Sequence, residues 1–367
     1  MSENNFVKLG DVAHECRLTW SGGQTDIPIV GLEHLVPGEI ELSSWDSNIE
    51  HTFSKKFLKG QVLLGRRRVY LKKAVVAPCD GICSGDITVI ESTGGILPEL
   101  LPFVIQNDRF FDYAMQGSAG SLSPRVKWEH LKNYEFSLPP LAEQKVLADK
   151  LWAAYRLKES YKKLLAATEE MVKSQFIEMF KHKKPNGKIA DLVDANIKSV
   201  KKSFNKEGMI EYIDISSVNA KYRTLNETTQ YIVASAPSRA QQCVQNGDIL
   251  VSTVRPINRN VAVVNSNLTS LVASTGFCVL RPIDGYREYL LAIVTSDKYT
   301  EKMCDIASGG LYPAVNNSDV LSYDIFIPDK DFLHRVTQIY QQADKSGFEL
   351  RKSIDAIDAV IKSLINS

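Results

Sequence analysis

The sequence predicts a mixed α/β (α+β) fold built twice, as two similar globular domains that are each followed by one long helix. Three observations support this prediction. The chain has 367 residues, more than one hydrophobic core usually serves. Its second half repeats its first half at a constant offset. Each copy ends in about 40 residues whose apolar positions follow the period of a coiled coil.

The repeat is clearest when segment 97–177 is aligned with segment 286–366, which needs no gap. Apolar positions then face apolar positions, as Phe136 faces Ile325. Upstream, segment 60–77 aligns with 247–264 and places Arg68 opposite Arg255. Such repeats are sought first because they decide the architecture, and this one indicates a duplication. Identical pairs include Glu99/Glu288, Leu101/Leu290, Asp108/Asp297, Gly120/Gly309, Leu122/Leu311, Pro124/Pro313, Val126/Val315, Tyr134/Tyr323, Pro139/Pro328, Lys163/Lys352, Lys173/Lys362 and Ser174/Ser363.

Each copy begins with a globular part of mixed pattern. Short β-type runs such as VLLG and ITVIE, or DILVST and FCVLRP, alternate with Gly, Pro and Asn turns. One helix is predicted over 98–116 in the first copy and over 286–307 in the second. The predicted domain boundaries are 1–140 and 183–329 for the globular domains, and 141–182 and 330–367 for the long helices.

The two long helices are predicted to pair antiparallel as a coiled coil. A 40-residue helix is about 60 Å long and needs a partner for its apolar face. Its twin is the simplest partner, and packing of each helix on its own domain is the alternative. Lys158 and Gln175 interrupt the first stripe, whereas Asp329 is the expected N-cap of the second helix. The candidate coiled-coil and subunit-docking residues are Leu147, Leu151, Tyr161, Leu165, Val172, Val336, Leu350, Ile354 and Ile361.

Composition is that of an ordinary globular protein, with 44% hydrophobic and 24% charged residues and a net charge of +1. The six cysteines have no zinc-type spacing, so we interpret them as reduced thiols and predict no metal site. No uncharged apolar run is long enough for a membrane-spanning helix, and the start lacks the regions of a signal peptide. We therefore expect a cytoplasmic protein that does not enter a membrane.

A basic segment stands out in the first copy. Segment 54–79 contains eight Lys or Arg and no acid, on a predicted strand–loop–strand. Most such runs are merely solvated faces. The missing acids and the counterpart loop 255–259 favour contact with phosphates and base edges instead. The candidate DNA-binding residues on these two loops are Arg66, Arg67, Arg68, Lys72, Arg255, Asn258 and Arg259.

A second loop occurs at the same place in both copies but carries different polar residues. Gly and Pro recur at the same places, while the polar residues that follow differ between the copies. This pattern fits one scaffold that presents two reading surfaces, and it also fits neutral drift. The candidates here are Arg125 and Lys127 in the first copy, and Tyr312 and Asn316 in the second.

Catalytic motifs are missing from the sequence. It contains neither GxGxxG nor GxxxxGK, and no Asn/Asp-Pro-Pro-aromatic tetrapeptide. The histidines are scattered without an HxxxH pair. We predict no active site and no cofactor. The alternatives to a DNA-reading protein are a duplicated, non-catalytic protein-binding adaptor and, less well supported, a solitary nuclease or methyltransferase.

Segment 117–151, GSAGSLSPRVKWEHLKNYEFSLPPLAEQKVLADKL, resembles the specificity (S) subunit of type I restriction–modification systems. The second copy, SGGLYPAVNNSDVLSYDIFIPDKDFLHRV, departs from that pattern, with PDKDF in place of PPLAEQ. The resemblance extends over essentially the full chain and implies two target-recognition domains, each followed by a helical region.

The resemblance further implies a function and partners. Each domain would read one half of an asymmetric, bipartite site in double-stranded DNA, with the helices as a ruler. Two methyltransferase (M) subunits would dock on the helical regions, and restriction (R) subunits would join them. S-adenosylmethionine and ATP would be bound by those partners. Helices of about 60 Å would limit the separation of the half-sites to roughly one and a half to two DNA turns.

Overall fold

The computed structural model describes residues 5–22, 26–118, 124–194 and 196–366. The chain divides into two compact units. Unit 1 consists of Met1–Lys162 with Lys352–Ser367, and unit 2 of Lys163–Arg351. Each unit therefore contains one globular domain and a part of both long helices.

Unit 1 contains nine strands among its described residues, arranged in small sheets. A four-stranded antiparallel sheet has the order β2-β8-β5-β6, a three-stranded sheet the order β3-β7-β4, and β1 pairs with β9. The strands are β1 Asn5–Lys8, β2 Ala13–Cys16, β3 Ile29–Val30, β4 Lys55–Phe57, β5 Val62–Gly65, β6 Ala74–Val76, β7 Gly81–Cys83, β8 Ile87–Ser92 and β9 Glu135–Leu138.

The helices of unit 1 are α1 Leu9–Val12, α2 Leu101–Ile105, α3 Asp108–Gln116, α4 Trp128–Leu131 and the first part of α5 Leu141–Phe180. The prediction of a single helix over 98–116 is wrong, because this segment forms α2 and α3. The break occurs at Asn107, whose extended backbone ends the first helix. Its side chain caps the second by accepting a hydrogen bond from Arg109 N at 3.0 Å.

Unit 2 repeats this plan with additional strands. Its sheets have the orders β14-β11-β18-β15, β17-β16-β19, β12-β13 and β10-β20. The strands are β10 Gly187–Lys188, β11 Met209–Ile213, β12 Val218–Asn219, β13 Thr224–Leu225, β14 Thr229–Ile232, β15 Ala240–Cys243, β16 Ile249–Ser252, β17 Val261–Val263, β18 Leu271–Ser274, β19 Phe277–Leu280 and β20 Asp324–Ile325.

The helices of unit 2 are α6 Val200–Ser203, α7 Arg287–Val294, α8 Asp297–Ile306, α9 Asn317–Leu321 and most of α10 Lys330–Asn366. The helix expected over 286–307 is again two helices. Ser296 lies at the break and caps the second one, accepting a hydrogen bond from Tyr299 N at 3.2 Å. The two copies therefore interrupt the same helix at the same place.

A β-hairpin and its neighbouring strand are shared by both units. In unit 1, β5 pairs antiparallel with β6 and β8; in unit 2, β16 pairs antiparallel with β17 and β19. The apolar runs VLLG and ILVS are buried throughout, because both faces of these strands are covered. The strand predictions for these runs are confirmed, and so is the two-domain fold.

In each unit, one hydrophobic cluster joins the hairpin to the long helices. In unit 1, Ala148, Leu151 and Tyr155 of α5 belong to the main core, and Ile361 of α10 packs against it. In unit 2, Phe332, Val336 and Tyr340 of α10 belong to the main core, and Phe180 of α5 packs against it. Each core thus receives the beginning of one long helix and the end of the other.

Contacts within unit 2 show that the two helices run antiparallel. Arg351 Nη2 lies 3.1 Å from Glu169 Oε1, and the rings of Phe332 and Phe180 are 5.1 Å apart. Moving forward along α5 therefore means moving backward along α10. In unit 1, Lys158 of α5 pairs with Asp358 of α10, so the two helices are in contact there as well. The predicted antiparallel pairing is confirmed. The alternative, packing of each helix on its own domain, holds only for the first turns of each helix, where Leu151 and Val336 belong to the cores of their own domains.

Lys158 corrects another expectation, since it does not interrupt the stripe. Its side chain is buried in the seam, and Nζ donates a 2.6 Å hydrogen bond to Asp358 Oδ1. A single polar residue buried at such a position can specify the register of a coiled coil. Asp329 caps α10 as expected, accepting a hydrogen bond from Phe332 N at 2.8 Å.

Of the candidate coiled-coil residues, Leu151 and Val336 are buried, whereas Leu147, Tyr161, Leu165, Val172, Leu350, Ile354 and Ile361 are half-buried.

Candidate nucleic-acid interface

The loop that closes the shared hairpin has the same unusual backbone in both units. Arg68 and Lys72 flank a 3₁₀ turn, Val69–Leu71, with φ values of 52° and 51°. Arg255 and Arg259 flank the corresponding turn with φ values of 49° and 50°. Non-glycine residues rarely adopt this left-handed conformation, and backbone strain of this kind concentrates at functional sites. We name segments 66–73 and 253–260 the recognition loops.

The segment 124–126 around Pro124 lies beside the first recognition loop, and its counterpart 313–315 around Pro313 lies beside the second. We call each of them the Pro segment. Arg68 N donates to Pro124 O at 2.8 Å, and Arg255 N donates to Pro313 O at 2.7 Å. The segments are further held by backbone bonds from Val126 to Arg66 O and from Val315 to Thr253 O. The two sequence signals therefore mark a single place in each domain. Gly120 and Leu122, which belong to the same repeat, lie outside the described residues.

In unit 1 the basic loop is partly neutralised, which corrects the expectation that no acid faces it. Asp86 Oδ1 accepts a 2.7 Å hydrogen bond from Arg125 Nε, and Arg67 Nη1 lies 3.6 Å from Asp86 Oδ2. The hydrogen bond from Arg125 holds the pKa of the Asp86 carboxyl below its usual value. Arg66 is half-buried nearby, whereas Arg68 is exposed. Arg67 and Arg125 thus share one carboxylate, which leaves a local excess of positive charge.

In unit 2 uncharged residues take these positions, and the cation arrangement differs. The positions of Arg67, Arg125 and Asp86 are taken by Val254, Ala314 and Gly276, as the matching backbone pairs show. The guanidinium of Arg255 lies 4.5 Å from the ring centre of Tyr312, a cation–π contact. It also donates to Leu311 O at 3.2 Å.

The outer basic residue of each loop is bound to the first residue of a domain helix. Lys72 Nζ is 2.7 Å from Asp108 Oδ1 at the start of α3. Arg259 Nη1 is 2.6 Å from Asp297 Oδ1 at the start of α8. Neither cation is therefore a freely solvated charge in this structure, which sequence inspection did not foresee.

The remaining candidates lie where a short helix begins. Lys127 and Asn316 precede α4 and α9 at corresponding positions, and both are exposed. Asn316 N donates to Asp319 Oδ2 at 2.7 Å, so this residue also has a structural role as N-cap. Asn258 is exposed at the end of its 3₁₀ turn.

Sequence inspection missed the apolar residues at the loop tips. Tyr70 and Ile257 occupy the middle of the two recognition loops and are 52% and 66% exposed. Leu311, beside Tyr312, is 86% exposed. Large apolar side chains exposed among cations are typical of contact surfaces. Their placement between two basic residues in a short loop was the signal available in the sequence.

One further cluster brings together residue types that can bind a metal ion. Within the described residues, Glu33, His34 and Asp46 place three ligand atoms within 4.8 Å of one another. His34 Nδ1 accepts a 2.9 Å hydrogen bond from Gly31 N, and His34 Nε2 lies 3.5 Å from Asp46 Oδ2. Both ring nitrogens are thereby engaged, and we assign no metal to this cluster. All six cysteines are free thiols.

The helices give no support for a membrane-spanning segment. Across the described ranges, no helix combines the length and the apolar character that crossing a bilayer would need. The long helices α5 and α10 exceed that length, but charged residues recur along both of them.

The fold and the loops define a class of protein: a duplicated scaffold that presents two non-identical basic surfaces. Residues 182–356 match the family model described as the type I restriction modification DNA specificity domain. This match lies in the second copy and agrees with the resemblance seen in the sequence.

The chain is also similar to curated specificity subunits and to solved structures. The HindI specificity subunit of Haemophilus influenzae is 29% identical over 140 residues, or 37% of this chain and 30% of that protein. The EcoDI specificity subunit of Escherichia coli is 30% identical over 119 residues, or 30% and 26%. The matched segments thus span less than a third of each relative.

Likeness of fold extends much further than likeness of sequence. A type I restriction–modification S subunit from M. genitalium superposes with a TM-score of 0.54 at 10% identity, with 100% of this chain and 96% of that one covered. A chain from a study of complex assembly and conformational transition of the type I R-M system gives 0.51 at 19% identity, with coverages of 98% and 96%. At such identities the likeness establishes the fold.

Proposed function

We propose that this chain selects the DNA sequence for a type I restriction–modification complex by reading a bipartite, asymmetric site, one half per globular domain. The observation that carries the proposal is the pair of recognition loops. Their strained backbones are alike, whereas the side chains beside them differ. Two halves of unlike sequence require one scaffold with two different sets of contacts.

The proposed DNA contacts combine phosphate binding with base reading. In the first domain they are Arg66, Arg67, Arg68, Lys72, Arg125 and Lys127. In the second they are Arg255, Asn258, Arg259, Tyr312 and Asn316. Arginine and asparagine present planar donors and acceptors that suit guanine and adenine edges. We add Tyr70 and Ile257, whose exposed apolar groups suit a thymine methyl or a base step.

We further propose that methyltransferase (M) subunits dock on the long helices and that restriction (R) subunits join this core. Exposed apolar residues on the helices support a docking surface. Unit 1 offers Leu157 and Val360, while unit 2 offers Leu164, Met171 and Phe348. Single large apolar residues on a helix are ordinary, but repetition along both helices is typical of a contact surface. S-adenosylmethionine and ATP belong to those partners, and we place the assembly in the cytoplasm.

The experiment that tests the function is single-molecule sequencing of adenine methylation in cells that carry this chain and its M subunit. We expect a bipartite methylated motif with a fixed gap that disappears when the chain is deleted. Exchange of residues 183–329 for the corresponding domain of another S subunit should change one half only, which also tests the proposed domain boundaries. An unchanged methylome after deletion, with the M subunit still expressed, would contradict the proposal and favour a protein-binding adaptor.

A residue-level version separates the two domains. Arg68→Ala should weaken recognition of the first half-site and Arg255→Ala that of the second, because the two loops are proposed to work independently. Each substitution also removes a left-handed arginine, so Arg68→Asn and Arg255→Asn serve as backbone-tolerant variants. If both arginine changes affected the same half, the assignment of one half-site per domain would be wrong.

A further inference from the structure

Asp108 holds two cations from distant parts of the chain. Its Oδ1 lies 2.7 Å from Lys72 Nζ of the recognition loop. Its Oδ2 lies 3.1 Å from Lys362 Nζ, in the last turns of α10. A second bond supports the same contact, since Asn107 Nδ2 donates to Asn366 Oδ1 at 3.0 Å. The end of α10 is thus attached to the start of α3 beside the recognition loop.

Asp297 does the same in unit 2. Its Oδ1 lies 2.6 Å from Arg259 Nη1 of the recognition loop, and its Oδ2 lies 3.8 Å from Lys173 Nζ of α5. Hydrogen bonds from the loop cations are the main cause that lowers the pKa of both Asp108 and Asp297. Both carboxylates are therefore ionised at neutral pH.

The two clusters correspond position by position. The repeat aligns Asp108 with Asp297 and Lys173 with Lys362 at one and the same offset, and the loop cations also align. Few other polar residues are identical between the copies. The arrangement is therefore present in both copies although their other polar residues have diverged, which argues against a chance surface contact.

The lysines are exchanged between the copies. Lys362 follows the second globular domain in sequence but completes the cluster of unit 1. Lys173 follows the first globular domain but completes the cluster of unit 2. Each recognition loop is consequently linked to the long helix that belongs to the other copy.

We propose that Asp108 and Asp297 are positioning residues for DNA reading, and that each recognition loop depends on a lysine from the other copy's long helix. This inference rests on the proposed function, in which the loops contact DNA. The carboxylate fixes the outer cation of the loop, so that the left-handed residues at both ends of the 3₁₀ turn keep one geometry. With two cations on one acid, the cluster keeps a net positive charge and still attracts phosphate.

The loss of a cluster should therefore reduce discrimination more than affinity. Asp108→Asn frees Lys72 for unspecific phosphate contact while it loosens the loop. Because partly exposed ion pairs are weak individually, we expect discrimination to fall by about two- to fivefold rather than to vanish.

The test uses the full chain assembled with its M subunits and measures binding to duplexes by fluorescence anisotropy. The duplexes carry the methylated motif, or that motif with one base changed in one half. Asp108→Asn and Lys362→Met should each lower discrimination in the half read by the first domain. Asp297→Asn and Lys173→Met should do so in the other half. The domain exchange at 183–329 identifies which half is which.

Controls separate positioning from general damage. Asp112→Asn changes an exposed acid one turn further along α3 and should leave both halves unchanged. Lys362→Arg keeps the charge and should retain discrimination in the first half. Melting temperatures of all variants should stay within about 2 °C of the parent, because the substitutions are at the surface.

Distinct results would overturn the inference or the function beneath it. An effect of Lys362→Met on the half read by the second domain, on both halves equally, or on neither contradicts the exchange of lysines. If the parent complex discriminates no base in either half, the proposed function itself fails. If the parent reads both halves but no variant shifts either, only the positioning role is refuted.

Discussion

The two recognition loops share a backbone but differ in how their charges are arranged. In unit 1, Asp86 ties Arg125 and Arg67 together; in unit 2, Gly276 occupies the place of that acid. The bonds that hold each loop to its Pro segment are main-chain bonds, so they survive a change of side chain. This difference teaches that the fold constrains where the loop lies and leaves its chemistry open.

The long helices also share a backbone arrangement while the side chains at corresponding positions differ. Lys158 and Gly347 occupy corresponding positions of the two copies, and both are buried in the helical seam. In unit 1 the lysine fills the seam and pairs with Asp358. In unit 2 the glycine leaves space for the guanidinium of Arg351, which pairs with Glu169. One frame accepts two solutions for a charge pair across the seam.

The largest effect is expected where α5 enters the core of unit 1. Leu151 is fully buried there, so Leu151→Ala should cost about 2–5 kcal/mol of unfolding free energy. Hydrogen exchange should accelerate in β5 and β8, while β16 and β19 stay protected, because the two units have separate cores. Leu157→Ala, on an exposed site of the same helix, is the matched control. Equal acceleration of hydrogen exchange in both units would contradict the conclusion that their cores are separate.

A smaller difference is expected between two tyrosines on the long helices. Tyr155 OH accepts hydrogen bonds from Ile40 N at 3.2 Å and Glu41 N at 3.4 Å. Tyr155→Phe leaves a buried N–H unpaired and should cost about 1–3 kcal/mol. Tyr340 OH accepts from the side chain of Arg223, which has other donors for water. Tyr340→Phe should therefore cost less than about 1 kcal/mol, as chemical denaturation would show.

The pH dependence of Tyr155 sharpens this prediction. Burial raises the pKa of its phenol to about 12, compared with 10.0 normally. The unfolded chain deprotonates first, so this contribution to stability is complete below pH 10 and is lost as pH rises towards 12. The Tyr155→Phe variant should lack this part of the alkaline loss. An identical alkaline profile in parent and variant would contradict the burial effect.

Asp86→Asn tests the charge difference between the recognition loops. It releases Arg67 and Arg125, so binding to DNA should become about two- to tenfold tighter at low salt, with a steeper salt dependence. Glu170→Gln changes net charge equally at an exposed helical site and controls for long-range attraction. Because the pKa of Asp86 lies below its ordinary value of 3.8, its pairing should persist in mildly acidic buffer. Weaker binding by Asp86→Asn would show that the acid organises the loop instead.

Gly347→Ala should have the smallest effect, because two contributions oppose each other. Alanine favours a helix by about 1 kcal/mol over glycine. The added Cβ would lie 3.2 Å from Arg351 Nη1 and disturb its pair with Glu169. We expect a net change within about 0.5 kcal/mol in thermal denaturation. In a Glu169→Gln background there is no ion pair to disturb, so Gly347→Ala should stabilise the protein by the full helix preference of alanine. If it does not, the steric explanation is wrong.

Much of the architecture could be predicted from local signals. Residue identities at a fixed spacing revealed the duplication, and the apolar period revealed two long helices. The single helix predicted at 98–116 failed, because Asn107 caps a new helix from within an apolar run. The prediction that Lys158 interrupts the apolar stripe failed for a similar reason. A charged residue in such a stripe indicates an interruption unless its partner, here Asp358, is known.

The sequence by itself determined the doubled frame and the loop that carries the arginines, because repetition and periodicity are properties of residues close in the chain. Only the tertiary structure decided which charges meet. Asp86 reaches Arg125, and Lys362 reaches Asp108 from the far end of the chain. Such pairs depend on how strands and helices approach one another, and many acids could serve each cation equally well. The choice among them is made by packing.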